Sequence, residues 1–543
     1  MNNRRLMSVM LAAVMTAGLL AGCGSSSGSG SAQSTAAPAE SGSSEASTET
    51  ASAGGDDLTI SITDGSEDSM ELNTAKAGTL NALSLCRHVY EGLYKLDKDG
   101  KIVPGEAKDV QVSDDGLTYT FTLRDDITWS DGQPVKAADY VYGWKYLKES
   151  GEDYSSFLDV IKDAQAKDDK TLVVTLANPC SYLDSLLAFP SSYPVREDYV
   201  EKYGDSYATD PDKAVYNGAY TLSSWTHQQE MVLTKRDDYY DASNITVGTI
   251  NWELMSDPST MANSYRSGDV IFSASYPEEE ADSFGDDDLH FVSGYNTYCA
   301  MFNLGDGGNE VLKDAKVRKA LSLAIDRDRI INIRGLNDEV ATTYTPSGLQ
   351  DDSGKEFNST VTPWFGDDYD ENCKEAKELL KEAGYEDGKG FPALRYIVNN
   401  DSRKTVAEAI VSDWKDQLGI DSVTVETVDD FFSARSDGDY DIAYFGWYMD
   451  YPDVSNMLYT MTTGQNDAKY SNDKYDEAYN KAISTTDAAE SWKDYDECES
   501  ILAEDVPVAP ILHAEDSYLF DSTDYDGMVY SCGNAFFGYV TAK

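Results

Sequence analysis

An α/β fold is predicted for this chain by three observations: short strands of alternating polarity crowd its first half, helices of regular apolar spacing take over in its second, and one stretch reads as a β-α-β unit. Leu58, Ile60 and Ile62 alternate with polar residues and open the folded body as a strand. Thr118–Leu123 and Thr171–Leu176 alternate in the same way, with turn signals at Asp114-Asp115-Gly116 and Asp131-Gly132. Val317, Leu321, Ala324 and Ile325 then recur at helical spacing, as do Ala376, Leu379, Leu380 and Ala383, the latter helix stopped by Gly384 as its C′ residue. Leu394–Val398 is a strand, 405–418 a helix closed by Gly419, and 423–428 a second strand, so the two strands are expected to be parallel. A further strand, 441–445, runs into Gly446-Trp447-Tyr448-Met449-Asp450-Tyr451-Pro452-Asp453. Open α/β sheets bind ligands beyond the carboxyl ends of their strands, which makes this segment a candidate site.

The N-terminal 22 residues read as a signal peptide removed before Cys23. Arg4 and Arg5 form its positive start, and nothing after them supports a twin-arginine signal. Leu6 to Leu20 form an apolar run short of the ~20 residues a membrane span needs. Leu20-Ala21-Gly22-Cys23 is a small-residue cleavage site ending in cysteine, the pattern of a bacterial lipoprotein. Cys23 is therefore expected to carry a diacylglycerol, whose two chains anchor stably where one binds marginally. Residues 24–55 contain no aliphatic side chain larger than Ala, so the linker 23–56 is a tether with an r.m.s. span of about 30 Å. Its Gly24-Ser25-Ser26-Ser27-Gly28 matches the hydrolase pattern G-x-S-x-G by composition alone, without the strand and helix that chemistry needs.

A formal net charge of −54 argues against nucleic-acid binding, which needs a basic face, and favours approach by cations. Six cysteines follow Cys23 at wide intervals with no C-x-x-C, and a chain this long has core enough without a disulfide framework; unpaired, buried thiols are expected. His88, His227, His290 and His513 are scattered and no H-E-x-x-H occurs, so no metal site is expected.

Blocks of residues carry a resemblance. Val89-Tyr90-Glu91-Gly92-Leu93, then LDKDGKIVPG at 96–105, ITWSDGQPVKAADYVYGW at 127–144, Asn217-Gly218-Ala219-Tyr220, Tyr265-Arg266-Ser267-Gly268, VRKALSLAIDRDRII at 317–331, residues 446–453 and VPVAPI at 506–511 resemble, in order, the extracellular oligopeptide-binding proteins of ABC importers, solute-binding protein family 5 in its lipoprotein form. The resemblance implies a periplasmic-binding-protein-like α/β fold with two main lobes, an inserted small domain and a hinge, the three-domain class C arrangement. Domain I would comprise 57–94, 206–296 and 513–543, domain II 95–205, and domain III 297–512. It also implies a receptor that is not an enzyme, needs no cofactor, acts as a monomer and hands short peptides to a membrane permease. Its place would be the extracytoplasmic face of the cell membrane of a Gram-positive bacterium, held by the lipid on Cys23.

A receptor for varied peptides must bind what all peptides share, and the resemblance assigns that task to 446–450. Gly446 and Tyr448 would pair through their main chain with the peptide, Trp447 would wall an apolar pocket, and Asp450 would take the α-ammonium. Tyr154 resembles a small-lobe residue that touches the peptide main chain. Relatives hold the peptide carboxylate with scattered basic residues; here Tyr444 replaces an arginine, the Gly305-Asp306-Gly307-Gly308 loop replaces a lysine, and Arg403 stands where a histidine would be. Two other readings remain open: the same receptor class with a dipeptide, nickel complex, oligosaccharide or signalling peptide as ligand, and a lipid-anchored hydrolase. For the latter the sequence offers no P-loop, no serine elbow in context and no histidine cluster. Acidic residues are too abundant for carboxylate pairs to identify a glycosidase.

Overall fold

Two long antiparallel strands, Leu289–Phe302 and Val508–Phe520, form the middle of an 11-stranded mixed sheet. The computed structural model describes residues 58–543 except 153, 351–353 and 486–487; the signal, Cys23 and the tether lie outside the described residues. On one flank of the long pair come Ile442–Tyr448, Leu394–Val398 and Val423–Thr427. On the other come Phe272–Ser273, Leu58–Thr63, Val247–Glu253, Glu230–Lys235 and Tyr220–Thr226. The long pair changes register between Ser293 and Asn296 and again between Tyr298 and Cys299. Tyr295 inside the first shift has φ of 46°, in the left-handed region. Such bulges bend and twist a strand pair locally.

Side chains of Leu289–Phe302 separate by parity into two cores. Ala300 and Phe302 pack with Ile442, Tyr444, Tyr396 and Val398 on one face, under the helices Ala315–Leu323, Tyr369–Glu382 and Asp401–Leu418. Cys299 and Met301 pack with Ala443, Phe445 and Ile397 on the other, under Val454–Tyr459, Asp473–Ile483 and Ala488–Asp505. A sheet covered on both faces is what the apolar runs of these strands require. Leu394–Val398 and Val423–Thr427 pair in parallel, as expected of the β-α-β unit. The intervening helix starts at Asp401, earlier than its apolar periodicity marks, because the Asn400 side chain caps it by accepting from the Arg403 N–H at 2.9 Å. The strand beginning at Ile442 also outruns its expected end and continues through Gly446 to Tyr448.

A separate four-stranded sheet holds Ala107–Val112, Thr118–Leu123, Thr171–Leu176 and Ile161–Asp168 in that spatial order. All six cysteines from Cys86 to Cys532 are buried and unpaired. Among the described residues no helix is long and apolar enough to cross a membrane.

Several blocks that carry the family resemblance converge on one buried polar network. Asn217 Nδ2 donates to the Glu91 carbonyl at 2.7 Å and to Glu106 Oε1 at 3.0 Å, while the Tyr140 hydroxyl donates to Glu106 Oε2 at 2.7 Å. The Tyr239 and Tyr240 hydroxyls both reach the Glu91 carboxylate. Gly218 lies so close to the Val89-Tyr90 peptide that a Cβ there would come within 2.6 Å of the Tyr90 nitrogen. These residues tie strands, helix Ala137–Ser150 and loops together.

Burial raises the Glu106 carboxyl from 4.5 to about 8, against the opposing hydrogen bonds of Tyr140 and Asn217. An acid whose folded pKa is raised binds its proton in the folded state across that window and releases it on unfolding, so its contribution to stability is lost as pH rises from the lower value to the upper. Urea unfolding of the Glu106→Gln variant should therefore show a shallower loss of stability than wild type between about pH 5 and about pH 8. Equal slopes would contradict the assignment.

Candidate functional site

The strand Ile442–Tyr448 reads Ile-Ala-Tyr-Phe-Gly-Trp-Tyr, rich in strand-favouring side chains, and is buried as far as Phe445. It pairs antiparallel with Leu289–Phe302 through its whole length, from Phe302 opposite Ile442 to Asn296 opposite Tyr448. Its other edge pairs with Leu394–Val398 only at Ile442 and Ala443. In the same register, the Met449 N–H donates to the Tyr295 carbonyl at 3.0 Å. Antiparallel alternation then turns the main chain of Phe445 and Trp447 toward Leu289–Phe302, and that of Gly446 and Tyr448 toward the opposite edge. Among the described residues no strand pairs with that edge beyond Ala443.

Gly446 stands opposite Tyr298, and a Cβ at 446 would collide with the edge of the Tyr298 ring. The glycine is thus required by the close approach of an aromatic ring. The Trp447 Nε1–H donates to Asn456 Oδ1 at 3.0 Å. Its ring lines a cavity of about 70 Å³ together with Met301, Phe445, Tyr459 and Met461. Tyr459 and Gln465 are shared with a neighbouring cavity of about 320 Å³ that Tyr182 and Tyr479 also line.

Asp450 follows the strand's end. Its Oδ1 accepts from the Tyr154 hydroxyl at 3.0 Å, its Oδ2 from Asn456 Nδ2 at 3.3 Å, and its N–H donates to Asn456 Oδ1 at 3.2 Å. Burial pushes its carboxyl above the ordinary aspartate range, with the Asn456 and Tyr154 hydrogen bonds opposing. It forms no ion pair among the described residues. Capping of helix Val454–Tyr459 falls instead to Asp453, which accepts from the Ser455 N–H at 2.9 Å. Tyr154 itself packs edge-on to Phe189 at 5.0 Å between ring centroids, and Tyr182 stacks on Tyr451 at 5.7 Å.

Arg403 lies beside the same strand but does not touch Asp450. Its guanidinium carbon is 5.5 Å from the Tyr298 ring centroid and 5.6 Å from that of Tyr444, and its Nη1 donates to Asn399 Oδ1 at 2.9 Å. No carboxylate pairs with it among the described residues. A second guanidinium, Arg334, lies 5.8 Å from the Tyr298 ring and is bound by Asp338. Tyr444 is fully buried and its hydroxyl has no hydrogen-bond partner among the described residues.

The structure therefore brings Gly446, Trp447, Tyr448, Asp450 and Tyr154 together and sets Arg403 along the strand from them. Sequence reasoning missed Asn456, Tyr298 and Tyr182. The first stands six residues after Asp450 and was open to notice as an Asx-type partner; the others reach the site only through tertiary packing. No group of three or more metal-ligating side chains occurs among the described residues.

The model of the bacterial extracellular solute-binding proteins, family 5, matches residues 101–469. The chain is 31% identical over 457 residues to the periplasmic oligopeptide-binding protein OppA of Escherichia coli, covering 79% of this chain and 82% of that one. It is 30% identical over 470 residues to the probable deoxycholate-binding periplasmic protein YgiS of Escherichia coli, covering 81% and 85%. Among solved structures, Listeria monocytogenes OppA bound to peptide superposes with a TM-score of 0.70 at 26% identity, over 90% of this chain and 99% of that one.

Asn456 is 6% exposed and holds both the Trp447 indole and the Asp450 loop. Asn456→Ala should lower unfolding stability by about 1–3 kcal/mol, the cost of leaving buried donors and acceptors unpaired. Chemical denaturation measures this, and an unchanged midpoint would remove Asn456 from the site's framework.

Proposed function

The chain belongs to the bacterial extracellular solute-binding proteins of family 5, and on that premise we propose that it captures short peptides between its lobes and passes them to the permease of an ABC importer. The observation that carries this reading is the partly buried Asp450 carboxylate, which among the described residues has no cation, just beyond a strand whose Gly446 and Tyr448 edge has no partner strand among them. A peptide supplies both missing parts. Its extended main chain adds as a strand to the open edge, and its α-ammonium meets the carboxylate. The ammonium adds the attraction of a full positive charge to what Tyr154 and Asn456, both uncharged donors, supply to Asp450. Trp447 walls a side-chain pocket, Tyr154 closes over the ammonium from the small lobe, and Arg403 is available to the peptide carboxylate. An anionic bile acid, the ligand named for one relative, would meet the Asp450 charge unfavourably.

The protein performs no chemistry of its own. Domains I, II and III, with the boundaries given above, close over ligand by hinge motion, and the closed monomer is the form the permease accepts. The lipid on Cys23 holds it at the extracytoplasmic face of a Gram-positive cell membrane, and the tether of 23–56 gives it room to open, close and dock.

Calorimetry with short peptides tests the ammonium site. Asp450→Asn should weaken binding of free-amine peptides by about 2–5 kcal/mol, the cost of truncating one partner of a buried charge pair. N-acetylated peptides should bind poorly to the unaltered protein. Equal binding of both classes to both proteins would overturn the assignment.

A further inference from the structure

Tyr448, Asn296 and Ala514 stand side by side on three adjacent strands, and Asp516 lies two residues beyond Ala514, beside the Ser293–Asn296 register shift. The Tyr448 hydroxyl reaches over Asn296 and donates to Asp516 Oδ2, and the Tyr530 hydroxyl lies 3.5 Å from the same oxygen. Asp516 Oδ1 accepts no hydrogen bond from any described residue, and it faces Gly294, where a Cβ would come within 3.0 Å of it. The carboxylate is half-buried, its partners are neutral hydroxyls, and it forms no ion pair among the described residues.

Tyr448, whose hydroxyl binds Asp516, stands at the end of the site strand two residues before Asp450, and both carboxylates push the Cys532 thiol up. Asp64, bound by Asn81 and equally without an ion pair among the described residues, adds to the field at Tyr530. Arg87 also reaches Cys532, but it is not among the groups that act on Asp450 or Asp516. The carboxylates do not converge as ligands of one metal ion.

We propose that Asp516 is a second cation site of the cleft, which takes the basic side chain of a lysine or arginine in a peptide whose α-ammonium lies at Asp450. This rests on the peptide reading above. The Tyr448 hydroxyl orients the Asp516 carboxylate through Oδ2, and the unoccupied Oδ1 receives the ammonium or guanidinium. A desolvated carboxylate offered only neutral donors gains most from a cation, because its charge is the part left uncompensated. The ligands favoured by this chain are then basic peptides, in keeping with its strongly acidic composition.

The test is calorimetric titration of the whole soluble body with Ala-based tripeptides and pentapeptides carrying either lysine or its uncharged isostere norleucine at each position in turn. At one position lysine should bind at least about tenfold more tightly than norleucine, and Asp516→Asn should reduce that ratio to within about threefold of one. Equal binding of the lysine and norleucine peptides to wild type at every position would overturn the proposal without needing a variant. A lysine preference that survives in a folded Asp516→Asn protein would overturn it as well. If none of the peptides binds at all, the peptide reading itself fails, and this site fails with it.

Discussion

A partly buried carboxylate that among the described residues meets only uncharged donors is the constraint around which the site is arranged. Asp450 has only neutral donors, Tyr154 and Asn456, and burial has already raised its pKa. Folding tolerates such a group where hydrogen bonds hold it, and a proton or an arriving cation can then complete it. The parts around it follow from that need. Asn456 fixes the loop and the Trp447 indole with one amide, and Asp453 takes over the helix cap so that Asp450 is not spent on it. Among the described residues no strand pairs with the Gly446 and Tyr448 edge of the strand before it.

The long strands Leu289–Phe302 and Val508–Phe520 explain how this arrangement is held. Leu289–Phe302 pairs with the site strand along its length, Val508–Phe520 pairs with Leu289–Phe302 on its other edge, and the Tyr448 hydroxyl reaches Asp516 beside their register shift. Their alternating side chains feed two separate cores, so the site strand is anchored from both faces before its exposed end begins. By contrast, Glu91, Tyr140 and Asn217 lie in the blocks most recognisable in the sequence and, with Glu106, serve a buried hydrogen-bond network. Strong motif identity in this chain marks architecture as much as recognition.

What was legible in the sequence was what neighbouring residues encode. The strands Leu394–Val398 and Thr171–Leu176 and the helix ending at Gly419 follow from periodicity and stop signals a few residues apart. The helix start at Asp401 was not, because polar residues fill its first turn and only the Asn400 cap reveals it. The extension of the site strand to Tyr448 was hidden by Gly446, a residue that reads as a strand end until the Tyr298 ring is seen to need its missing Cβ. Tyr154 and Asp450 could be named but not joined, since 296 positions separate them in the chain. Asp516 could not be named at all, because its meeting with Tyr448 depends on the register of three strands.

The central claim is that the cleft completes Asp450 with the free amino end of a peptide. Native mass spectrometry of the body purified from cells tests it most directly, because the ligand identifies itself. A ladder of co-purifying peptides with unblocked amino termini is the predicted result. A single metal complex, a sugar, or peptides with blocked amino termini would contradict it.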